Sequence, residues 1–414
     1  MVYDVAVIGG GASGLMAAGR AGEEGAKVII LEKNGSVGLK LLMTGGTRCN
    51  LTNNIPDSKI LATNFGSAGR FLISAFSRFG PKETIEFFNN RGLATKIEDN
   101  NRVFPASDNA REVLKILVDY AQAAGVEIMT SAAVKNILID KGKIAEVVLA
   151  DGKKIKAINY IIATGGRSYP TTGSSGDAYE WLRRMGHNII TPSPALVPIL
   201  LKDAFIPELE GLSREEIALS LWQDGRKIAA TEGDILFTAN GLSGPAALNL
   251  SRFISLPINQ NLEISLDFFA DTFIEDLDDE LQGIFLGNNK SARNSLAGIL
   301  PSRLMPVVGS LAHLDMEKPA NSVTKDERRR LGALLKDFRL GIKGLDGYDR
   351  AMLTAGGLDL KEVDPKTMRS KIISNLFVAG EALDIAGPTG GFNLQACWST
   401  GRIAGEAAVQ AKMD

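Results

Sequence analysis

Apolar residues in this chain fall into short dense runs separated by glycine-rich polar stretches. The first, Val5-Ala6-Val7-Ile8, predicts a strand buried on both faces. It feeds Gly9-Gly10-Gly11-Ala12-Ser13-Gly14, after which Leu15 to Ala21 reads as a helix. Val28 to Leu31 predicts a second strand, ending on Glu32-Lys33. Gly35 to Asn54 shows no periodicity and is long for a plain connection, which predicts a functional loop. Val113, Leu114, Leu117, Val118 and Ala121 then recur at helical spacing, with Ser107 or Asp108 as the expected cap and Gly125 as the stop. Val126–Thr130, Val134–Asp140, Ile144–Leu149 and a run from Ile155 predict strands. Lys141-Gly142 and Asp151-Gly152 turn the later ones into a small meander. The meander leads to a buried strand, Tyr160 to Thr164, stopping at Gly165-Gly166.

From about Thr191 the texture changes. Pro192, Pro194 and Pro198 break regular structure, and Ile217–Trp222, Lys227–Ala230 and Leu262–Asp267 predict strands of a separate sheet or barrel. Residues 272–315 read as helical, with Leu277, Leu281, Ile284, Leu296, Leu300, Leu304 and Leu311 apolar. Glycine-rich α/β character returns near Ala355-Gly356-Gly357. A strand, Leu376 to Ala379, ends on Gly380-Glu381, and a last helix begins at Gly390-Gly391 and runs to Gln410. This order predicts one discontinuous nucleotide-binding domain carrying a large insertion.

The opening unit has the parts of a dinucleotide fingerprint in the right order. Gly9 permits the tight turn, Gly11 removes the Cβ that would keep backbone from a pyrophosphate, and Gly14 lets helix pack on strand. The helix start around Ala12 and Ser13 offers free N–H groups and the positive dipole end. Glu32 is placed to accept hydrogen bonds from a ribose, with Lys33 beside it. The β meander ahead of Ala163-Thr164-Gly165-Gly166, and the closing strand at Gly380-Glu381, suggest FAD rather than NAD alone. Amides at the Gly390-Gly391 helix start would face the flavin pyrimidine edge, while Glu381 or Asp384 would hold the ribityl chain or bridging waters.

Composition narrows the chemistry. The 414 residues are 45% hydrophobic and 23% charged, with formal net charge −2. That balance gives no general pull toward nucleic acid or an acidic membrane, so neither is an expected partner. The basic cluster Lys325 to Arg330 includes two acids and reads as a solvated helix face. The first strand begins almost at once, leaving no room for a signal peptide, which predicts a cytoplasmic protein. Cys49 and Cys397 are the only cysteines, so a dithiol relay requires the fold to bring them together. His187 and His313 are the only histidines, which excludes a multi-histidine metal site, and no metal is expected. His187 follows an apparent helix end, where a surface capping role is expected.

Several strings resemble the BaiN-like flavoproteins, also called the aminoacetone oxidase family. They are Gly38 to Asn53 (Gly-Leu-Lys-Leu-Leu-Met-Thr-Gly-Gly-Thr-Arg-Cys-Asn-Leu-Thr-Asn), Ala163 to Pro170 with Gly173 and Gly176, Ile235 to Thr238 with Gly241 to Pro245, and Thr389 to Gln395. The resemblance spans essentially the whole chain. It implies an α/β fold: a glutathione-reductase-type FAD-binding Rossmann domain with inserted β-barrel-like and helical subdomains. The expected division is an FAD-binding part at 1–190, an insertion at 191–353 (barrel-like about 191–270 and 320–353, helical about 271–319) and a returning FAD-binding part at 354–414.

Carried over by position, the resemblance implies that Lys40, Leu41, Thr44, Gly45, Arg48, Cys49 and Asn50 wrap the flavin and its phosphates. Arg48 and Asn50 are expected nearest the reacting ring. Val134 would meet the adenine through its backbone, and Ala163 to Gly166, Gly380, Glu381, Asp384, Gly391, Phe392, Asn393 and Leu394 would complete the site. Tyr169 is a candidate proton donor. The chain departs from the family at Thr47, usually glycine, at Thr44, commonly serine, and at Ala239, usually histidine.

The resemblance implies an FAD-dependent oxidoreductase that takes hydride from NADH or NADPH and reduces a small organic acceptor such as an activated C=C bond. No second glycine fingerprint follows Gly166, so the nicotinamide donor would bind transiently. The alternative is an oxidase of a small amine such as aminoacetone, using O2. An RNA-modifying flavoprotein is disfavoured by the near-neutral charge.

Overall fold

A computed structural model describes residues 2–258, 261–287 and 289–411. The chain forms two compact units, residues 1–195 with 348–414 and residues 196–347. In the first, β1 (Val2–Ile8) lies parallel to β2 (Val28–Leu31), with Val5 opposite Val28 and Ile8 opposite Leu31. β3 (Glu127–Met129) extends the sheet parallel to β2. On the other side of β1 lies the long β6 (Lys154–Ile162), which is the predicted run from Ile155 and the predicted Tyr160 strand fused into one. β4 (Val134–Asp140) and β5 (Lys143–Leu149) form the antiparallel meander on β6, and β7 (Leu376–Val378) returns parallel beside it.

The sheet is covered by α1 (Ala12–Glu23), α2 (Ala110–Ala123) and α4 (Phe392–Gln410), with α3 (Asp177–Arg184) following β6 in sequence. α1 and α4 meet through backbone. A Cβ on Gly401 would sit 2.5 Å from the Ser13 carbonyl oxygen, and one on Gly405 would sit 2.2 Å from that of Ala17. Only glycine permits that approach, and it fixes where α1 begins. The cap of α2 is Asn109, whose side chain accepts from the Arg111 amide at 3.0 Å. Neither expected cap serves: the Asp108 carboxylate is taken by Arg48 and Lys96, and Ser107 bonds Glu112. His187 is a correction too. Its backbone closes α3 onto Leu182, but its ring is buried, with Nε2 2.8 Å from the Ser370 hydroxyl.

The second unit is built on a closed six-stranded antiparallel barrel that includes Ser213–Gln223, Arg226–Thr238, Leu262–Asp267 and Phe338–Leu345. Helices Ile274–Phe285, Leu304–Ala312 and Lys325–Lys336 accompany it. The basic cluster on the last is tied to acids: Arg328 pairs with Asp278 at 2.7 Å, and Glu327 with Lys318 at 2.9 Å. Among the described residues no helix is long and apolar enough to cross a membrane.

Candidate functional site

The fingerprint forms the floor of a cavity of about 1220 Å³, counted out to its open mouth. Gly9, Gly11, Ala12 and Ser13 line it, at the crossing of β1 into α1. Three glycines there have three different reasons to be glycine. Gly9 holds φ +104, and its Cβ would meet the Ala163 carbonyl at 2.6 Å. Gly14, outside the lining, carries no Cβ because one would lie 1.9 Å from the Gly9 carbonyl oxygen. Gly11 has ordinary extended dihedrals, and a Cβ there would meet nothing within 4 Å. The space in front of Gly11 is cavity, not protein.

At one end, the Glu32 carboxylate is buried and already organised. Oε2 accepts from the Gly10 amide at 2.8 Å, and Oε1 accepts from the Asn34 amide at 2.9 Å and its side chain at 2.7 Å. Asn34 takes both lone pairs of Oε1, and Oε2 keeps one for a further donor. Lys33 lines the same end, its ammonium 2.8 Å from Asp177 and bonded to Ser175. Val134, Ala163, Thr164 and Gly165 complete this wall.

Lys40 lies on the lining with Glu381. Its ammonium donates to Glu381 Oε2 at 2.6 Å and to the Ser168 hydroxyl at 2.5 Å. Glu381 Oε1 accepts from Ser168 Oγ and from the Thr354 amide, both at 2.8 Å. Gly166 stands outside the lining, and a Cβ there would collide with Thr354 and Glu381. Leu41, Thr44, Asn393 and Leu394 also line the cavity. Asn393 caps its own turn, accepting from the Gly387 amide at 2.8 Å and donating to the carbonyls of Gly387 and Pro388.

Other expected site residues stand behind this lining. Arg48 pairs with Glu98 and with Asp108 at 2.7 Å, and lies 4.1 Å over the Phe104 ring. Asn50 ties the loop to α4: its side chain accepts from the Gly391 amide at 3.1 Å and donates to the carbonyls of Val103 and Thr52. Cys49 is fully buried, and burial pushes its thiol up to about 12. Tyr169 starts a short turn in the left-handed region, φ +51, with its amide on the Tyr348 carbonyl. Asp384 accepts from the Gly356 amide at 3.0 Å, and burial raises its carboxyl above the usual range. Gly45, Gly380, Gly391 and Phe392 also lie off the lining, the last packed on Phe65.

The cavity also takes residues that the motif reading passed over: Asn34, Thr172, Trp181, Met352, Leu353, Ile385 and Cys397. Asn34 had a sequence signal, two positions past Glu32. Met352, Leu353 and Ile385 had none, since a lining apolar residue looks like a core residue in sequence. Burial, with the Glu381 charge adding to it, pushes the Cys397 thiol up to about 12.

The profile of the HI0933-like protein Rossmann domain matches residues 3–407. A 3-dehydro-bile acid delta(4,6)-reductase of Clostridium scindens is 33% identical over 420 residues, covering 98% of this chain and 99% of its own. A ribosomal RNA dihydrouridine synthase of Escherichia coli is 28% identical over 411 residues, covering 99% of each chain. Among solved structures, the 3-ketosteroid-delta4-(5alpha)-dehydrogenase of Rhodococcus jostii matches with TM-score 0.55 at 14% identity. It covers 98% of this chain and 96% of that one, a likeness of fold alone.

Proposed function

The chain belongs to the HI0933-like Rossmann family and is an FAD-dependent oxidoreductase, and we propose that it reduces a carbon–carbon double bond activated by a carbonyl, with NADH or NADPH as donor. The observation that carries this reading is the continuity of the cavity. A dinucleotide cradle at Gly9, Gly11 and Glu32 runs into a lining where Met352, Leu353, Ile385 and Leu394 present apolar surface. Met352 is 48% exposed, which leaves it available to a flat apolar acceptor.

Fit to FAD rests on this geometry. The open space at Gly11 and the N-terminus of α1 suit a pyrophosphate, and Glu32 suits a ribose. On this reading Val134 would border the adenosine, and Asn393 and Leu394, which line the same cavity, the flavin ring. Bound there, FAD supplies hydride transfer at one face of its ring. Lys40 places a positive charge on the cavity wall, held by Glu381 and Ser168. Arg48 and Asn50 act one layer back, holding the 40–53 loop against the Thr95–Glu98 and Arg102–Pro105 hairpin and against α4. That assignment moves both residues from chemistry to positioning.

The names of the bile acid reductase and the dihydrouridine synthase both describe saturation of a C=C bond next to a carbonyl. They differ in the size of the acceptor, a small molecule in one and an RNA base in the other. The formal charge of −2 and the paired state of Arg328 favour the small molecule. The test is anaerobic mixing of the yellow protein with NADH and then NADPH, followed near roughly 450 nm, where oxidised flavin absorbs. Bleaching by either, then recolouring on adding a 4-en-3-one steroid, supports the reading. Recolouring by rRNA alone moves the acceptor to RNA. Bleaching by aminoacetone but by neither nucleotide makes the protein an amine oxidase.

A further inference from the structure

We infer that Lys33 and Asn34 act on the cofactor indirectly, as pins for a strap of chain, residues 165–177, whose tip opens to exchange FAD. This rests on FAD occupying the cavity described above. Gly165, Thr172, Gly173, Ser174 and Asp177 of the strap all lie on the cavity lining. Its two ends are held in physically different ways. At the root, the Thr354 hydroxyl accepts from the amides of Arg167 at 2.7 Å and Ser168 at 3.2 Å, and Ser168 bonds Glu381. Ser168 and Thr354 are fully buried, so releasing the root strands polar groups away from water.

The tip is held by part-buried and exposed polar contacts, with Ser174 alone of its residues 172–177 buried. Asn34 donates from its side chain to the Thr172 carbonyl at 3.1 Å. Lys33 reaches Asp177 at 2.8 Å and also bonds Ser175, which in turn donates to Asp177 at 2.9 Å. Lys33 and Asp177 keep 30% and 42% of their side-chain surface exposed. Water replaces these bonds at little cost, so the tip opens far more readily than the root. Gly173 packs so closely here that a Cβ would lie 2.4 Å from the Asn34 side chain. The tip therefore seats on the two residues that follow the ribose acid Glu32.

The electrostatics separate this role from direct contact. A lysine beside a dinucleotide would ordinarily serve its phosphates, and a neighbouring aspartate would then compete with the cofactor for it. On that reading Asp177→Asn frees Lys33 and slows FAD release. As a latch, the same substitution opens the strap and speeds release. Holoenzyme diluted into excess FAD-free buffer, with released FAD followed by its fluorescence, distinguishes them. Lys33→Met and Asp177→Asn are each expected to speed release about three- to tenfold, and the double variant no more than either alone. Raising NaCl is expected to speed release in the unmodified protein and to have a smaller effect in Asp177→Asn. Release unchanged or slowed in Asp177→Asn, or effects that add in the double variant, overturns the latch. Failure of the unmodified protein to retain FAD overturns instead the reading on which the latch rests. Melting of the apoproteins checks the fold, since neither side chain is buried.

Discussion

The Lys40 ammonium and the Glu381 carboxylate meet at 2.6 Å on the wall of the fingerprint cavity, joining a loop after β2 to the turn after β7, 341 residues later. Glu381 is 9% exposed, so it depends on this partner and on Ser168. Replacing Lys40 with methionine leaves a nearly buried carboxylate short of a charge-assisted bond. The expected loss is about 1–3 kcal/mol of apoprotein stability, measured by urea unfolding. Glu381→Gln keeps two hydrogen-bonding atoms and is expected to cost less.

Gly11 and Gly14 separate binding from folding. Gly11→Val introduces a side chain where nothing lies within 4 Å, at dihedrals any residue adopts. The apoprotein should keep its stability to within roughly 1 kcal/mol while FAD retention falls by about 100-fold or more. Gly14→Ala forces a methyl to 1.9 Å from the Gly9 carbonyl oxygen and should compromise the fold itself. Flavin content and circular dichroism of the two purified variants read the difference.

Thr47 stands at φ +71 on an exposed loop, a β-branched residue where the resembled family has glycine. Its carbonyl bond to the Ala110 amide, 2.9 Å, does not involve the side chain. Thr47→Gly is expected to stabilise the protein by about 0.5–1 kcal/mol, the relief of left-handed strain exceeding glycine's entropy loss. A lowered urea midpoint would show that the threonine side chain is needed there.

Glu327 closes a capping box, accepting from the Thr324 amide at 2.8 Å, with Lys318 at 2.9 Å. These contacts hold its carboxyl down at about 2 against an ordinary 4.5. A depressed acid stabilises the fold above its unfolded value and loses that contribution as pH falls from about 4.5 to about 2. Glu327→Gln should therefore be less stable than the unmodified protein at pH 7, by about 0.5–2 kcal/mol. The gap in urea midpoint should shrink at pH 3. A constant gap would assign the cap's value to shape rather than charge.

Cys49 and Cys397 are both held as thiols, with ionisation pushed to about 12. Native protein at pH 8 should resist iodoacetamide at both positions, while urea-unfolded protein takes up two equivalents, read by intact mass. Rapid labelling of Cys397 in the native apoprotein would show that its place on the lining lets water lower that value.

What the sequence determined by itself is the part of the protein in which neighbours in sequence are neighbours in space. The fingerprint from Val5 to Glu32 is one βαβ unit, so strand, turn, helix and acid are legible as a string, and so is the Gly391 start of the last helix. The family motifs carried the cofactor in the same way. Tertiary structure decided the partners of the charged groups. Arg48 reads in sequence as a cation in a flavin loop, yet Glu98 and Asp108, 50 and 60 residues on, take its guanidinium away from the cavity. Lys33 reads as a cofactor lysine until Asp177, 144 residues on, claims it. Met352, Leu353 and Ile385 carry no local pattern that separates a lining residue from a core one. A charge is satisfied by whichever opposite group folding brings within about 4 Å, and pairing at that range is set by the crossing of distant elements, not by spacing along the chain.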